Sequence, residues 1–187
     1  MQKKRIALLG LATIFFVAAA QAFAGHFLLT SPQLEAGGTM NPEQVFNGFG
    51  CTGDNISPEL NWSGEPTGTK SFAVTVYDPD APTGSGWWHW LVFNIPATVH
   101  KLAAESGNPE KGLLPAGSVQ SRTDYGKPGY GGACPPAGNK PHRYRFTVWA
   151  LDVAELSLDQ DVSAAMVGFF LHQHQLGHAA ITVTYGR

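Results

Sequence analysis

The chain has 187 residues, of which 43% are hydrophobic, and this is enough for a domain with a buried core. Its formal net charge is −2 at pH 7, with 12 Lys and Arg against 14 Asp and Glu. This balance lacks the basic excess that nucleic-acid-binding domains present to phosphates, so we expect no nucleic-acid partner.

The start of the chain has the layout of a secretory signal peptide. Basic residues at positions 3–5 are followed by an apolar run over residues 6–20. Two overlapping small-x-small sites then allow cleavage after Ala22 or after Ala24. A membrane anchor is the alternative, but the apolar run is shorter than the ~20 residues that a spanning helix needs. We therefore expect a signal peptide over residues 1–24.

Export has consequences for the rest of the chain. We expect residues 25–187 to form a single domain in the periplasm or outside the cell, with no stable membrane insertion after cleavage. The oxidising compartment favours a disulfide between Cys51 and Cys134, the two cysteines of the chain. Two free buried thiols are the alternative. Neither cysteine belongs to a Cys-x-x-Cys pair, so neither a thioredoxin-like centre nor a zinc ribbon is indicated.

Glycine and proline are frequent, with 22 and 13 residues, and helical patterns are scarce. This composition predicts a mainly β fold with long, shaped loops. Apolar residues that alternate with a period of two predict the strands. In chain order, these segments are residues 27–30, 60–62, 70–77, 88–94, 143–151 and 180–185.

A helix is expected late in the chain, where Ser163 can cap its start and Gly177 can end it. The residues that recur at helical spacing are Met166, Phe169, Phe170 and Gln173. The long turn-rich stretch over residues 103–141 precedes the last third of the fold. Loops of this length in compact domains are commonly functional or mobile.

A dense polar and aromatic segment follows the strand predicted over residues 70–77. It reads Asp78-Pro79-Asp80-Ala81-Pro82 and then Gly86-Trp87-Trp88-His89-Trp90. Prolines on both sides of Asp80 stiffen the backbone that presents the two carboxylates. Turn chemistry is the alternative role for the carboxylates, above all for Asp80. Strand alternation predicts that His89 points away from both tryptophans, toward the face of Leu91 and Phe93.

A second polar cluster over residues 135–144 ends at the start of another predicted strand. There His142 and Tyr144 share one face, and Arg143 lies on the other. Together with Asp78 and His89, they could hydrogen-bond a phosphate or carboxylate from several sides. The histidines would act as cations below about pH 6.5 and as N–H donors above it. We expect the two clusters to converge on one small anion-binding pocket.

Other site types fit the sequence less well. Gly84-Ser85-Gly86 is not a Gly-x-Ser-x-Gly nucleophile elbow, and the glycines over residues 126–132 lack the Lys and Ser/Thr of a phosphate loop. His172, His174 and His178 invite a metal interpretation but have no obvious third ligand beyond a pair one helical turn apart. We expect neither a metal nor another cofactor.

These residues resemble the phosphatidylethanolamine-binding protein (PEBP) family, in its bacterial Raf-kinase-inhibitor-like branch. The resemblance covers nearly all of the chain after the leader, and the signal peptide makes it similar to exported members. Besides the two clusters, the matching motifs are Ser57-Pro58-Glu59-Leu60-Asn61-Trp62, Thr123-Asp124-Tyr125-Gly126 and Gly131-Gly132-Ala133-Cys134-Pro135-Pro136.

The resemblance implies an antiparallel β-sandwich with a large central sheet, a smaller sheet and few short helices, to which the helix near the C-terminus belongs. It also implies that the peptide bond between Ala81 and Pro82 is cis. The ligand-binding residues expected at one end of the sandwich are Asp78, Asp80, His89, His142 and Tyr144.

Three functions follow as hypotheses. The first is an exported binding protein for a small anion: a phosphate ester, a phospholipid headgroup or a carboxylate. The alternative is an inhibitor or modulator of a protease, a kinase or a host signalling protein, acting through its surface on a protein partner. The third is a weak hydrolase that uses an Asp–His pair with Tyr144. The lack of a clear nucleophile argues against an enzyme.

Overall fold

The computed structural model describes residues 26–187, and the expected signal peptide over residues 1–24 lies outside them. The described residues form ten strands and an α-helix. In chain order these are β1 (Leu28–Thr30), β2 (Asn47–Gly48), β3 (Cys51–Thr52), β4 (Leu60–Ser63), β5 (Ser71–Asp78), β6 (Trp87–Pro96), β7 (Lys101–Leu102), β8 (Val119–Gln120), β9 (His142–Leu151), α1 (Ala164–His174) and β10 (Gln175–Tyr185). Short 3-10 turns lie at Pro42–Gln44 and Pro109–Lys111.

The strands form a large sheet, a smaller sheet and a hairpin. The large sheet has the order β10-β9-β5-β6-β8, the smaller sheet has the order β1-β4-β7, and β2 pairs with β3. All of these pairs are antiparallel. Because β5 runs antiparallel to both of its neighbours, its last residues lie beside the first residues of β6 and β9. Both polar clusters therefore lie at this end of the strands of the large sheet.

The alternating side chains of the large sheet build two cores. On one face, Phe72, Val74 and Val76 of β5 pack with Leu60 and Trp62 of the smaller sheet. The other face packs against α1 through a second cluster, whose members include Ala73, Leu91, Phe93, Trp149, Leu151, Val167 and Leu171. The predicted sandwich is therefore confirmed, with the helix covering the outer face of the large sheet.

Helix α1 begins as expected and ends earlier. The Ser163 hydroxyl accepts a hydrogen bond from the Met166 N–H at 3.3 Å, which caps the first turn. The helix ends at His174, because Gln175 is already extended and pairs with Leu151 of β9. Sheet pairing thus overrides the expected stop at Gly177. The buried side of the helix consists of Ala164, Val167, Gly168 and Leu171, whereas Met166 and Phe169 are exposed.

The expected cis bond before Pro82 is wrong, because none of the peptide bonds within residues 26–187 is cis. The turn closes without it. Asp78 Oδ1 accepts the Asp80 N–H at 2.8 Å, and the Ala81 carbonyl accepts the Thr83 N–H at 2.8 Å. With these contacts made, the ordinary trans preference of an X-Pro bond prevails.

Candidate functional site

The position of His89 depends on a β-bulge in β6. Val76 of β5 pairs with Trp90 and Tyr77 pairs with Trp88, so His89 is the extra residue between them. A bulge redirects the side chains before it to the opposite face. Trp88 accordingly packs on the face of the helix with Leu91, and His89 turns to the other face. The expectation that His89 shares the face of Leu91 and Phe93 is therefore wrong.

His89 is buried and its Nδ1 lies 2.7 Å from the carbonyl oxygen of Gly131. Since a carbonyl can only accept, Nδ1 carries a hydrogen. Burial lowers the pKa of His89, and the bond to Gly131 only partly opposes this. The ring is therefore neutral at neutral pH. Its Nε2 then presents a lone pair, and it is buried without a partner among residues 26–187.

Tyr144 supplies a donor next to this acceptor. Its ring meets that of His89 edge to face, with 5.2 Å between the ring centroids. Its hydroxyl is also buried without a partner among the described residues. Burial raises the pKa of Tyr144, and the negative charge of Asp78 adds to this effect. The phenol therefore keeps its proton and can donate it in a hydrogen bond.

Asp78 and His142 form a buried pair at the base of the site. His142 Nδ1 lies 2.7 Å from Asp78 Oδ2, and both side chains are at most 5% exposed. Since the carboxylate accepts, Nδ1 of His142 carries a hydrogen and the ring is held in one orientation. His142 Nε2 lies 3.5 Å from Asn139 Nδ2. Both oxygens of Asp78 are occupied, because the other accepts the Asp80 N–H.

These four residues line one cavity of about 210 Å³. This volume is below the ~300 Å³ typical of sites for drug-sized ligands, so it suits a small group. Most of the wall is apolar or aromatic. The remaining lining residues are Phe49, Ala81, Pro82, Thr83, Trp87, Tyr125, Cys134, Pro135 and Pro136.

Asp80 does not line this cavity. It forms a two-pronged ion pair with Arg143, with 2.8 Å from Nε to Oδ2 and 2.6 Å from Nη2 to Oδ1. The Arg143 backbone N–H also donates to Oδ2 at 2.9 Å. The Arg143 guanidinium beside it lowers the pKa of Asp80 to about 2. The contacts of Asp80 thus fasten the loop after β5 to the start of β9.

Trp87 and Tyr125 also line the cavity, although the sequence marks them only as parts of motifs. The Tyr125 hydroxyl donates to the Gly132 carbonyl oxygen at 2.8 Å, and its ring meets that of Trp87 at 82°. Phe49 also lines the cavity and was not among the predicted site residues. Their signal was aromatic residues beside turn glycines in loops, which can bind ligands only if the fold brings those loops together.

The disulfide between Cys51 and Cys134 is confirmed, and it joins β3 to the segment that lines the cavity.

Within residues 26–187, no group of three or more His, Cys, Asp or Glu side chains is arranged to hold a metal ion. His174 bonds Asp152 at 2.9 Å, and His178 bonds Gln175 at 3.1 Å. Within the same residues, no helix is long and apolar enough to cross a bilayer.

A small cavity with an apolar wall and a few converging polar groups is the usual form of a ligand-binding site. The sequence places this fold and cavity in a family: the chain belongs to the phosphatidylethanolamine-binding protein family, whose sequence model matches residues 30–186.

Several relatives are similar over most of the chain. The UPF0098 protein YbcL of Escherichia coli K12 is 53% identical over 171 residues, covering 91% of this chain and 92% of YbcL. The UPF0098 protein YbhB of the same organism is 53% identical over 159 residues, covering 84% of this chain and 98% of YbhB. The lipoprotein-named LppC of Mycobacterium tuberculosis is 37% identical over 137 residues, covering 73% of this chain and 63% of LppC.

The crystal structure of Escherichia coli YbcL, described as a new member of the mammalian PEBP family, superimposes with a TM-score of 0.85. The match covers 87% of this chain and 99% of YbcL. The fold of the described residues is thus that of the family.

Proposed function

We propose that the protein is an exported binding protein whose cavity takes a small acidic head group, such as a phosphate monoester or a carboxylic acid. The observation that carries this proposal is the pair of buried, unpartnered polar atoms in one cavity, His89 Nε2 and the Tyr144 hydroxyl. Buried polar groups are normally hydrogen-bonded, so a ligand that satisfies both gains the bonds that the protein leaves unmade.

The two atoms differ in role, and this difference defines the ligand. Nε2 of neutral His89 accepts a hydrogen bond, whereas the Tyr144 hydroxyl donates one. A phosphate monoester that carries one proton offers both partners on one group: its P–OH donates to Nε2, and another of its oxygens accepts from Tyr144. A protonated carboxyl group can do the same. The buried negative charge of Asp78 also favours a ligand with one proton over a dianion.

The cavity offers little for hydrolysis. Among its lining residues, Cys134 is in the disulfide, and the Thr83 hydroxyl donates to the Gly86 carbonyl oxygen. Among the described residues, neither forms a hydrogen bond with His89 or His142, so neither belongs to a nucleophile–base pair. The arrangement therefore favours binding over turnover.

Export is part of the proposal. The basic and apolar leader, the disulfide and the lipoprotein-named relative all support it. The second candidate, modulation of a protein partner, has support from Met166 and Phe169 of α1, whose exposed fractions are 47% and 63%. It does not require the cavity.

A substitution of one atom tests the proposal. Tyr144→Phe removes only the hydroxyl, and since this hydroxyl has no protein partner, stability should be unchanged or slightly raised. Its affinity for methyl phosphate should fall about ten- to a hundredfold, as expected for a lost hydrogen bond to a charged group. Isothermal titration measures the affinity, and thermal melting measures the stability.

Tyr130→Phe is the matched control, because the Tyr130 hydroxyl donates to the Gln44 carbonyl oxygen at 2.8 Å and Tyr130 does not line the cavity. It should lose about 1 kcal/mol of stability and keep its affinity. Equal binding of methyl phosphate by wild type and Tyr144→Phe would refute the proposed role of the cavity.

A further inference from the structure

Phe49 lies in a turn that does not favour phenylalanine. In the β2–β3 hairpin, Gly48 pairs with Cys51, which leaves Phe49 and Gly50 as a two-residue loop. Both have positive φ, 52° for Phe49 and 83° for Gly50. Two-residue hairpin loops with positive φ at both positions strongly favour Asn, Asp or Gly, because a side chain with Cβ is strained there. Phe49 is therefore the residue that the local backbone should exclude.

Burial does not compensate for this strain. Phe49 is 70% exposed, more than any other large hydrophobic residue within residues 26–187. Its ring lies at the cavity, stacked at 15° on Tyr125 with 5.9 Å between the ring centroids. The fold thus holds an exposed aromatic ring beside two unpartnered polar atoms.

The turn is held from two sides. The Arg187 guanidinium donates to the carbonyl oxygens of Phe49 at 3.1 Å, Gly50 at 3.0 Å and Pro135 at 2.7 Å. The disulfide joins Cys51, the residue after the turn, to Cys134 in the cavity wall. Unfavourable backbone conformations persist where the surroundings fix them, and they cluster at ligand-binding sites.

We infer that Phe49 is a specificity-determining residue: it contacts an apolar group that the ligand carries directly next to its polar head. The inference rests on the proposed function, because the head must occupy the cavity first. The cavity of about 210 Å³ holds little more than a head group, and Phe49 is the exposed apolar surface that adjoins it. The ligand class is therefore a phosphate monoester of an apolar alcohol, and not free phosphate or a polar sugar phosphate.

Three probes and one substitution test this inference. Methyl phosphate carries almost no apolar group, butyl phosphate carries an alkyl chain, and phenyl phosphate carries a ring. Wild type should bind the butyl or the phenyl ester about tenfold more tightly than methyl phosphate, since each buried methylene contributes severalfold. Tighter binding of butyl phosphate alone would indicate a ligand with an alkyl chain, and tighter binding of phenyl phosphate alone would indicate a ligand with an aromatic ring.

Phe49→Gly suits the positive φ of this position, so its melting temperature should not fall. In this variant, the gain of the larger ester over methyl phosphate should shrink to twofold or less. Phe169→Ala, an exposed phenylalanine of α1 that does not line the cavity, is the matched control and should keep the full gain.

Different binding results would refute the proposed function and the inference about Phe49. If wild type binds none of the three esters, both the proposed function and this inference are refuted. If wild type binds all three equally, or if Phe49→Gly keeps the full gain, the inference alone is refuted. A lower melting temperature of Phe49→Gly together with lost methyl phosphate binding would assign Phe49 a structural role and would also overturn the inference.

Discussion

The Nδ1 atom of His142, the first residue of β9, lies 2.7 Å from Oδ2 of Asp78, the last residue of β5, and both side chains are buried. Two residues further along, Asp80 forms a similar pair with Arg143 at the surface. The two carboxylates therefore have the same chemistry and different surroundings, which makes them a natural comparison.

Asp78→Asn should lower the free energy of unfolding by about 3 kcal/mol, because it removes one partner of a buried charged hydrogen bond. Asp80→Asn should cost only about 0.5–1 kcal/mol, since the Arg143 side chain is more than half exposed and solvent weakens the pair. Urea unfolding at pH 7 measures both. Equal losses in the two variants would contradict the assignment of Asp78 as the buried partner.

The Asp80 pair also has a defined pH range. The pKa of Asp80 is lowered to about 2, below the ordinary value of 3.8 that applies to the unfolded chain. Its contribution to stability is therefore complete above about pH 4 and is lost as the pH falls toward 2. The stability difference between wild type and Asp80→Asn should shrink over that range. A difference that stays constant from pH 5 to pH 2 would show that the ion pair contributes nothing.

His89 should have the opposite kind of pH dependence from a histidine that gains a charged partner. Its pKa is lowered by burial, so the unfolded chain binds a proton more readily than the folded one. The stability of the wild type should thus fall as the pH decreases below 6.5. His89→Asn lacks this loss, and urea unfolding between pH 5 and 8 should show the two proteins converging at low pH. A parallel pH dependence would mean that His89 binds its proton as readily in the folded protein as in the unfolded chain.

The disulfide should contribute strongly, because it closes a loop with a sequence separation of 83 residues. The chain-entropy relation gives about 4–5 kcal/mol for such a loop. The double variant Cys51→Ser, Cys134→Ser should lose up to this amount in urea unfolding. Wild type under reducing conditions is the second arm. No change in either arm would show that the bond is not formed in the protein.

The proposed export predicts a defined N-terminus for the mature protein. Mass spectrometry of the protein from the periplasmic fraction should give a chain that starts at Phe23 or at Gly25. A chain that retains residues 1–22 and stays with the membrane fraction would support the anchor interpretation instead.

Much of the fold was predictable from the sequence, because β5, β6 and β9 are rich in β-branched and aromatic residues, as expected of strands whose two faces are both buried. The convergence of Asp78, His89, His142 and Tyr144 depended on more. It requires that β5 lies between β6 and β9, and local patterns do not specify strand order. The resemblance to a family implied that these four residues line one pocket, without giving the strand order.

The incorrect or missing predictions for individual residues have local structural causes. The bulge that turns His89 exists only in the pairing of β6 with β5, so strand alternation alone places His89 on the wrong face. Asp80 reads like a site residue, but the opposing Arg143 is 63 positions away in sequence. The role inferred for Phe49 could not be predicted from local sequence. Its backbone strain arises from the register of the β2–β3 hairpin, and the Arg187 side chain that holds its carbonyl oxygen lies at the other end of the chain.

In the proposed function, the cavity presents one acceptor and one donor to a ligand that must share one proton with His89. Methyl phosphate loses its second proton near pH 6, so at pH 8 its binding should take up about one proton, whereas at pH 5 the uptake should be close to zero. Isothermal titration in two buffers of different ionisation enthalpy measures this number directly. An uptake of about one proton at pH 8 is the predicted result. Binding without proton uptake at pH 8, with an affinity equal to that at pH 5, would show that the ligand donates no proton to His89.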